Sequence, residues 1–194
     1  TYQICCYQQI DGSRYAALFA DTLEVSLENE FLPFLYPNQY VNFTPDSASS
    51  KLALSIISED ASAVDALQAV YNYVVQNLTY DYDLADTVDS GYIPDVDSTL
   101  KSGKGICFDY AALTTAMLRA RDIPCKLQIG YAGTVKHAWI SVYIRSKGWV
   151  DKAVEFSGES WSRMDPTFDS NSKDKENIQQ YIGDDDNYSV QFTR

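Results

Sequence analysis

A thiol, an imidazole and a carboxylate, the three groups that an activated cysteine nucleophile uses, occur one after another in this chain. Cys107 lies in Gly103-Lys104-Gly105-Ile106-Cys107-Phe108-Asp109-Tyr110, the one histidine in Lys136-His137-Ala138-Trp139, and Asp165 in Met164-Asp165-Pro166-Thr167-Phe168. A cysteine needs a base to supply thiolate at neutral pH, and the base works best when a third group fixes its ring and tautomer. The pattern points to acyl transfer through a thioester. Cys107 would be the nucleophile, His137 the general base and acid, and Asp165 the orienter, with Asp151 as a rival for the last role.

Each of these residues needs an element to hold it. Ile106 to Arg121 is apolar nearly all round and ends before Asp122-Ile123-Pro124, so it predicts a buried central helix with Cys107 at its start. A sulfur there faces the positive end of the helix dipole, a position that favours an anion. The Cys107 N–H is also free to help hold an oxyanion. Cys125 follows Ile123-Pro124 and opens an apolar strand, which marks it as core. His137 to Ile144 alternates as a strand, with Ala138, Ile140, Val142 and Ile144 on one face and His137, Trp139, Ser141 and Tyr143 on the other. One face should build the core while the other meets the helix or a cleft.

Strands are also expected at Lys126–Tyr131, Trp149–Phe156 and Glu159–Met164, set off by Gly133, Gly148 and Gly158. Ahead of the central helix, Ser49–Ser58 reads as a short helix. Ala63–Leu78 reads as an amphipathic one, through Val64, Leu67, Tyr71, Val74 and Leu78. Thr79–Asp97 is acidic and aromatic and reads as a long surface loop that could wall a cleft. Its aspartates fail the calcium-loop pattern, because Tyr92 stands where a loop begun at Asp81 needs a bidentate Glu, so a solvated acidic loop is expected.

The N-terminal residues form a different pattern. Tyr2–Ile10 and Tyr15–Ala20 flank Asp11-Gly12, the signal of a hairpin, and Leu23–Leu27 alternates as a third strand would. Prolines 33, 37 and 45 make Phe31–Asp46 an irregular strap. The expected organisation is a β extension and strap over 1–48, a catalytic core over 49–169, and a polar tail over 170–194 packed through Ile178, Tyr181, Ile182 and Tyr188. The fold class is α+β, a helix packed on an antiparallel sheet.

Composition narrows the partners. The net charge of −12 repels phosphate backbones, so nucleic acid is not expected. Cysteines at 5, 6, 107 and 125 with a single histidine offer no zinc spacing, so neither a metal nor a cofactor is expected. Adjacent Cys5 and Cys6 on a strand would point to opposite faces and not bond. A start at Thr1 suggests removal of an upstream segment, and is compatible with a membrane anchor there.

Taken together, Gly105-Ile106-Cys107-Phe108-Asp109-Tyr110-Ala111, Leu118–Pro124, His137-Ala138-Trp139 and Asp165-Pro166-Thr167 resemble the transglutaminase-like superfamily, in its bacterial branch, over about Ala63 to Asp169. The resemblance implies a papain-related α+β fold, with the cysteine on the central helix and the histidine and aspartate on adjacent strands. It carries over Cys107, His137 and Asp165 in the roles given above. Two departures stand out: Lys152–Ser162 adds an apparent hairpin between the second and third motifs, and Cys125 replaces a small residue. Tyr80 and Tyr82 are candidates for the side-chain oxyanion donor, and Trp139 and Asp109 for substrate contact. The expected activity is a peptidase or amidase acting on extracellular or cell-wall peptides, outside the cell or at its surface. A glutamine-directed cross-linker and a catalytically silent scaffold are the alternatives.

Overall fold

Asp11 and Gly12 reverse the chain between β1 (Tyr2–Asp11) and β2 (Arg14–Leu23), Gly12 taking the positive φ of 51° that the turn requires. The two strands pair antiparallel from Tyr2↔Leu23 to Asp11↔Arg14. This computed structural model describes residues 1–155 and 188–194, and the chain divides into compact units at Thr1–Glu30 and Phe31–Arg194. The third strand expected at Leu23–Leu27 does not form beyond Leu23. Alternation makes a strand only where a neighbour pairs with it and covers its apolar face, and Val25 and Leu27 are both exposed. Cys5 and Cys6, successive on β1, are free thiols.

The strap packs within the second compact unit, which begins at Phe31. The reason is aromatic packing: Phe31 lies 4.5 Å from Tyr143 and Phe34 lies 5.3 Å from Trp149 between ring centroids, and Val41 is fully buried. Helix α1 (Ala48–Ile56) follows. Its first N–H groups, at Ala48 and Ser49, donate to the Asp97 carboxylate at 3.0 Å. Helix α2 (Ala63–Asn77) starts at Ser62, whose hydroxyl accepts from the Asp65 N–H, and it buries Ala66, Leu67, Val70, Tyr71 and Val74 as its periodicity requires.

Thr79–Asp97 departs from the expected loop. It holds β3 (Thr79–Tyr80) and α3 (Tyr82–Thr87), and leads into α4 (Val96–Ser102), which is followed by β4 (Lys104–Gly105). Three of its aspartates are helix caps and not merely solvated charges. Asp81 accepts from the Leu84 N–H, Asp95 from the Ser98 N–H, and Asp97 caps α1 across the fold.

Helix α5 (Cys107–Arg119) is the central helix, with every residue from Asp109 to Arg119 buried. It packs on a four-stranded sheet ordered β7-β6-β5-β8, where β5 is Cys125–Ala132, β6 Val135–Ile144, β7 Gly148–Glu155 and β8 Tyr188–Thr193. All three pairings are antiparallel. The chain's end is therefore an edge strand on β5, not only a tail held by scattered side chains. Backbone hydrogen bonds between Leu127 and Arg194 close that edge. Ile178, Tyr181, Ile182 and the Glu159–Met164 strand lie outside the described residues. Among the described residues no helix is long and apolar enough to cross a membrane.

Arg119 ties these layers together. It is 2% exposed, and its guanidinium donates to the carbonyls of Cys125 (2.8 and 3.0 Å), Tyr36 (2.7 Å) and Arg194 (2.9 Å). Burial lowers its pKa to about 10, which still leaves it charged at neutral pH. Removing the fork strands three carbonyls from three segments, each worth roughly 1–3 kcal/mol when buried without a donor. Arg119→Ala is expected to cost about 3 kcal/mol or more in urea unfolding. A loss under about 1 kcal/mol would show that water replaces the guanidinium.

Candidate active site

The turn that leads into Cys107 begins with Gly103, which ends α4 at a φ of 64°. Two short segments then align in parallel, Thr79↔Lys104 and Tyr80↔Gly105, fixed by the Thr79 N–H on the Gly103 carbonyl (2.8 Å) and the Asp81 N–H on the Gly105 carbonyl (2.9 Å). Cys107, the first residue of α5, follows two positions later and is half-buried. This bridge carries the Tyr80 phenol to within hydrogen-bonding reach of both the backbone and the sulfur of Cys107.

Burial is the main cause that raises the Tyr80 pKa, to about 12, and the Cys107 sulfur adds to it, while the backbone hydrogen bond from Cys107 opposes it. Tyr80 is therefore a neutral donor throughout the neutral range. The sign for stability follows. The folded state holds this proton more tightly than the unfolded value of 10.0, so stability is lost as pH rises from about 10 through 12. Tyr110 and Tyr92 are raised as well, chiefly by burial. Unfolding followed by circular dichroism should steepen above pH 10, and Tyr80→Phe should blunt it.

Tyr82, the other oxyanion candidate, stacks edge-on against Tyr80 at 5.1 Å but is 58% exposed. It lies beside Tyr80. Asp109, a candidate for substrate contact, is 1% exposed and turned inward. One of its oxygens accepts from the Ile106 N–H (2.8 Å) and the other from the Tyr92 hydroxyl (2.6 Å). It serves as half of a capping box, since the Ile106 side chain has no acceptor to complete the other half. Trp139, the other candidate for substrate contact, is also enclosed. It is fully buried, its ring lying over Gly130 of β5 and 5.4 Å from Tyr188 at the start of β8. Gly130 makes this possible, since a Cβ there would run into the Ser189 carbonyl and the Trp139 ring.

His137 is the third residue of β6, 6% exposed, with its ring stacked on Trp139 at 6.2 Å. The Cys125 thiol donates to Thr115 Oγ1 at 3.6 Å, which ties the start of β5 to the middle of α5. Ile129 pairs with Ala138 and Gly130 with His137, near the far end of β5. Strand alternation gives His137 the side of Trp139 and Ser141, while Ala138, Ile140 and Val142 join the α5 core. Both faces of β6 are buried here, where the sequence suggested one face for the core and the other for the helix or a cleft. Cys125 is fully buried, and burial raises its thiol to about 11, in keeping with a core role. Asp165 lies outside the described residues. Among those described, no group of three or more His, Cys, Asp or Glu could hold a metal.

Comparison with known proteins gives the same architecture. The family model of the transglutaminase-like superfamily matches residues 50–166, more than half of the chain. UPF0252 protein MJ1282 of Methanocaldococcus jannaschii is 30% identical over 97 residues, covering 47% of this chain and 28% of the archaeal protein. Among solved structures, a candidate cysteine protease from Cytophaga hutchinsonii aligns at a TM-score of 0.50 with 25% identity, over 64% of this chain and 41% of its own. The periplasmic domain of TgpA from Pseudomonas aeruginosa aligns at 0.46 with 17% identity, over 74% and 51%. The chain thus spans well under half of the archaeal relative and of the Cytophaga protein. With its helix-borne cysteine, antiparallel sheet and matching core, the chain belongs to the transglutaminase-like superfamily.

Proposed function

We propose that this chain is a cysteine-dependent acyl-transfer enzyme that cleaves amide bonds of peptides or proteins through a thioester. The observation that carries this reading is the Tyr80 phenol set against both the sulfur and the backbone of Cys107, at the start of a buried helix. A hydroxyl and an N–H that converge beside a thiol can both donate to the oxyanion formed when that thiol adds to a carbonyl.

The Cys107 thiolate attacks the amide carbon, and the carbonyl electron pair moves onto oxygen, held by Tyr80 and the Cys107 N–H. His137 gives its proton to the departing nitrogen as the C–N bond breaks, leaving a thioester. It then takes a proton from water, which adds to the thioester and releases the acid and the thiol. Asp165 accepts a hydrogen bond from the imidazole and steadies its charged form. Water is the acceptor in this reading. The acidic surface and the family's range favour peptides outside the cell or at its surface over nucleic acid.

Selective alkylation tests it. At pH 6, iodoacetamide should modify Cys107 at least about tenfold faster than Cys5, which is exposed. Equal, slow labelling at both positions would favour an inactive scaffold. Adding a primary amine to the turnover assay reads the acceptor, since amide product in place of acid would favour the cross-linker. Tyr80→Phe should lower kcat by roughly 10²–10³ with little change in KM, the loss expected of one oxyanion donor. An effect confined to KM would remove Tyr80 from that role.

A further inference from the structure

Asp109 is a buried carboxylate that none of the steps above uses. It is 1% exposed, and three contacts hold it. The Ile106 N–H donates to it at 2.8 Å, the Tyr92 hydroxyl at 2.6 Å, and Gly105 lies so close beneath it that a Cβ there would come within 2.6 Å of the Asp109 Cβ. Gly105 is also the residue that holds Tyr80. It pairs with Tyr80 in the parallel bridge, and its carbonyl accepts the Asp81 N–H. One carboxylate therefore braces the residue just before the nucleophile and, through Gly105, the strand that carries the oxyanion donor. Tyr92 extends the brace to the connection between α3 and α4.

We propose that Asp109 and Tyr92 are positioning residues that set the Tyr80 hydroxyl against Cys107, so that the site is aligned for attack on a carbonyl. The proposal rests on the acyl-transfer reading and names what keeps its two donors in register. Burial raises the Asp109 pKa above the ordinary value of 3.8 in spite of hydrogen bonds that lower it, so its stabilising share is greatest below the unfolded pKa and falls as pH rises. Asparagine could still accept from the Ile106 N–H and face the Tyr92 hydroxyl, whereas alanine could do neither.

Two probes separate alignment from folding. Iodoacetamide needs only an accessible thiolate, whereas p-nitrophenyl acetate needs its carbonyl oxygen stabilised while the thiolate displaces p-nitrophenolate and keeps the acetyl group on sulfur. Both rates are measured on the full chain, with the Cys107→Ala background subtracted and alkylation at Cys107 located by mass spectrometry. Asp109→Ala should slow acylation at least about twentyfold per folded molecule and alkylation less than about threefold. Tyr92→Phe should give an intermediate acylation defect. Asp109→Asn should restore acylation to within about fivefold of the starting protein, with a Tm no lower. If Asp109→Ala slows both probes equally, in proportion to the unfolded fraction, the residue is only structural and the proposal falls. If Asp109→Asn fails as badly as Asp109→Ala while folded, hydrogen-bond geometry is not what matters, and the proposal falls as well. If Cys107→Ala itself acylates at the unmutated rate, it is the acyl-transfer reading that fails.

Discussion

Cys107→Ala should reduce amide turnover and p-nitrophenolate release to background, a loss on the order of 10⁴–10⁶ in kcat, as for other enzymes that lose their nucleophile. Cys125 cannot stand in, because it is fully buried with its thiol raised to about 11. The fold should survive, because Cys107 is only half-buried and alanine suits the first turn of a helix. A thermal midpoint within a few degrees of the original would show that chemistry, not structure, was lost. Turnover that persists in a Cys107→Ala protein free of contaminants would end the assignment.

Replacing His137 is the second large effect. His137→Gln should lower kcat by roughly 10³–10⁴, the range for losing a general base that also serves as acid. Glutamine keeps much of the ring's bulk, which matters because the site is 6% exposed and alanine would leave a cavity beside Trp139. The variant's Cys107 should alkylate at pH 6 as slowly as an ordinary thiol. Combining the change with Cys107→Ala should cost nothing further, since members of one catalytic unit fail together. If the His137→Gln protein keeps fast alkylation at pH 6 and a kcat within about tenfold, the base lies elsewhere on the sheet.

Much of this arrangement was legible from short stretches of chain. The spacing of Leu67, Tyr71 and Val74 gave α2, the unbroken apolar run after Cys107 gave the buried α5, and alternation gave β6, because each pattern reports which side of a single element can face water. Local reading failed where a segment's role depends on a distant partner. The run of aspartates over 81–97 looked like solvated charge, yet Asp97 caps a helix that begins at Ala48, and only the packing of α4 beside α1 brings them together. The Asp-x-x-Leu and Asp-x-x-Ser spacings at Asp81 and Asp95 were the available sign of helix starts there. Asp109 and Trp139 carry polar atoms close to Cys107 and His137 in sequence, but a helix turn and the packing of Trp139 over Gly130 and against Tyr188 enclose them.

The types and order of Cys107 and His137, and the elements that bear them, are properties of the sequence alone, since propensity and periodicity act over a few residues. The placement of Tyr80 on Cys107, the bond from Tyr92 to Asp109 and the stitching of three segments by Arg119 are properties of the tertiary structure. Each joins groups far apart along the chain through directional hydrogen bonds. Such bonds have a geometry only after the whole core has fixed the register of the segments that carry them.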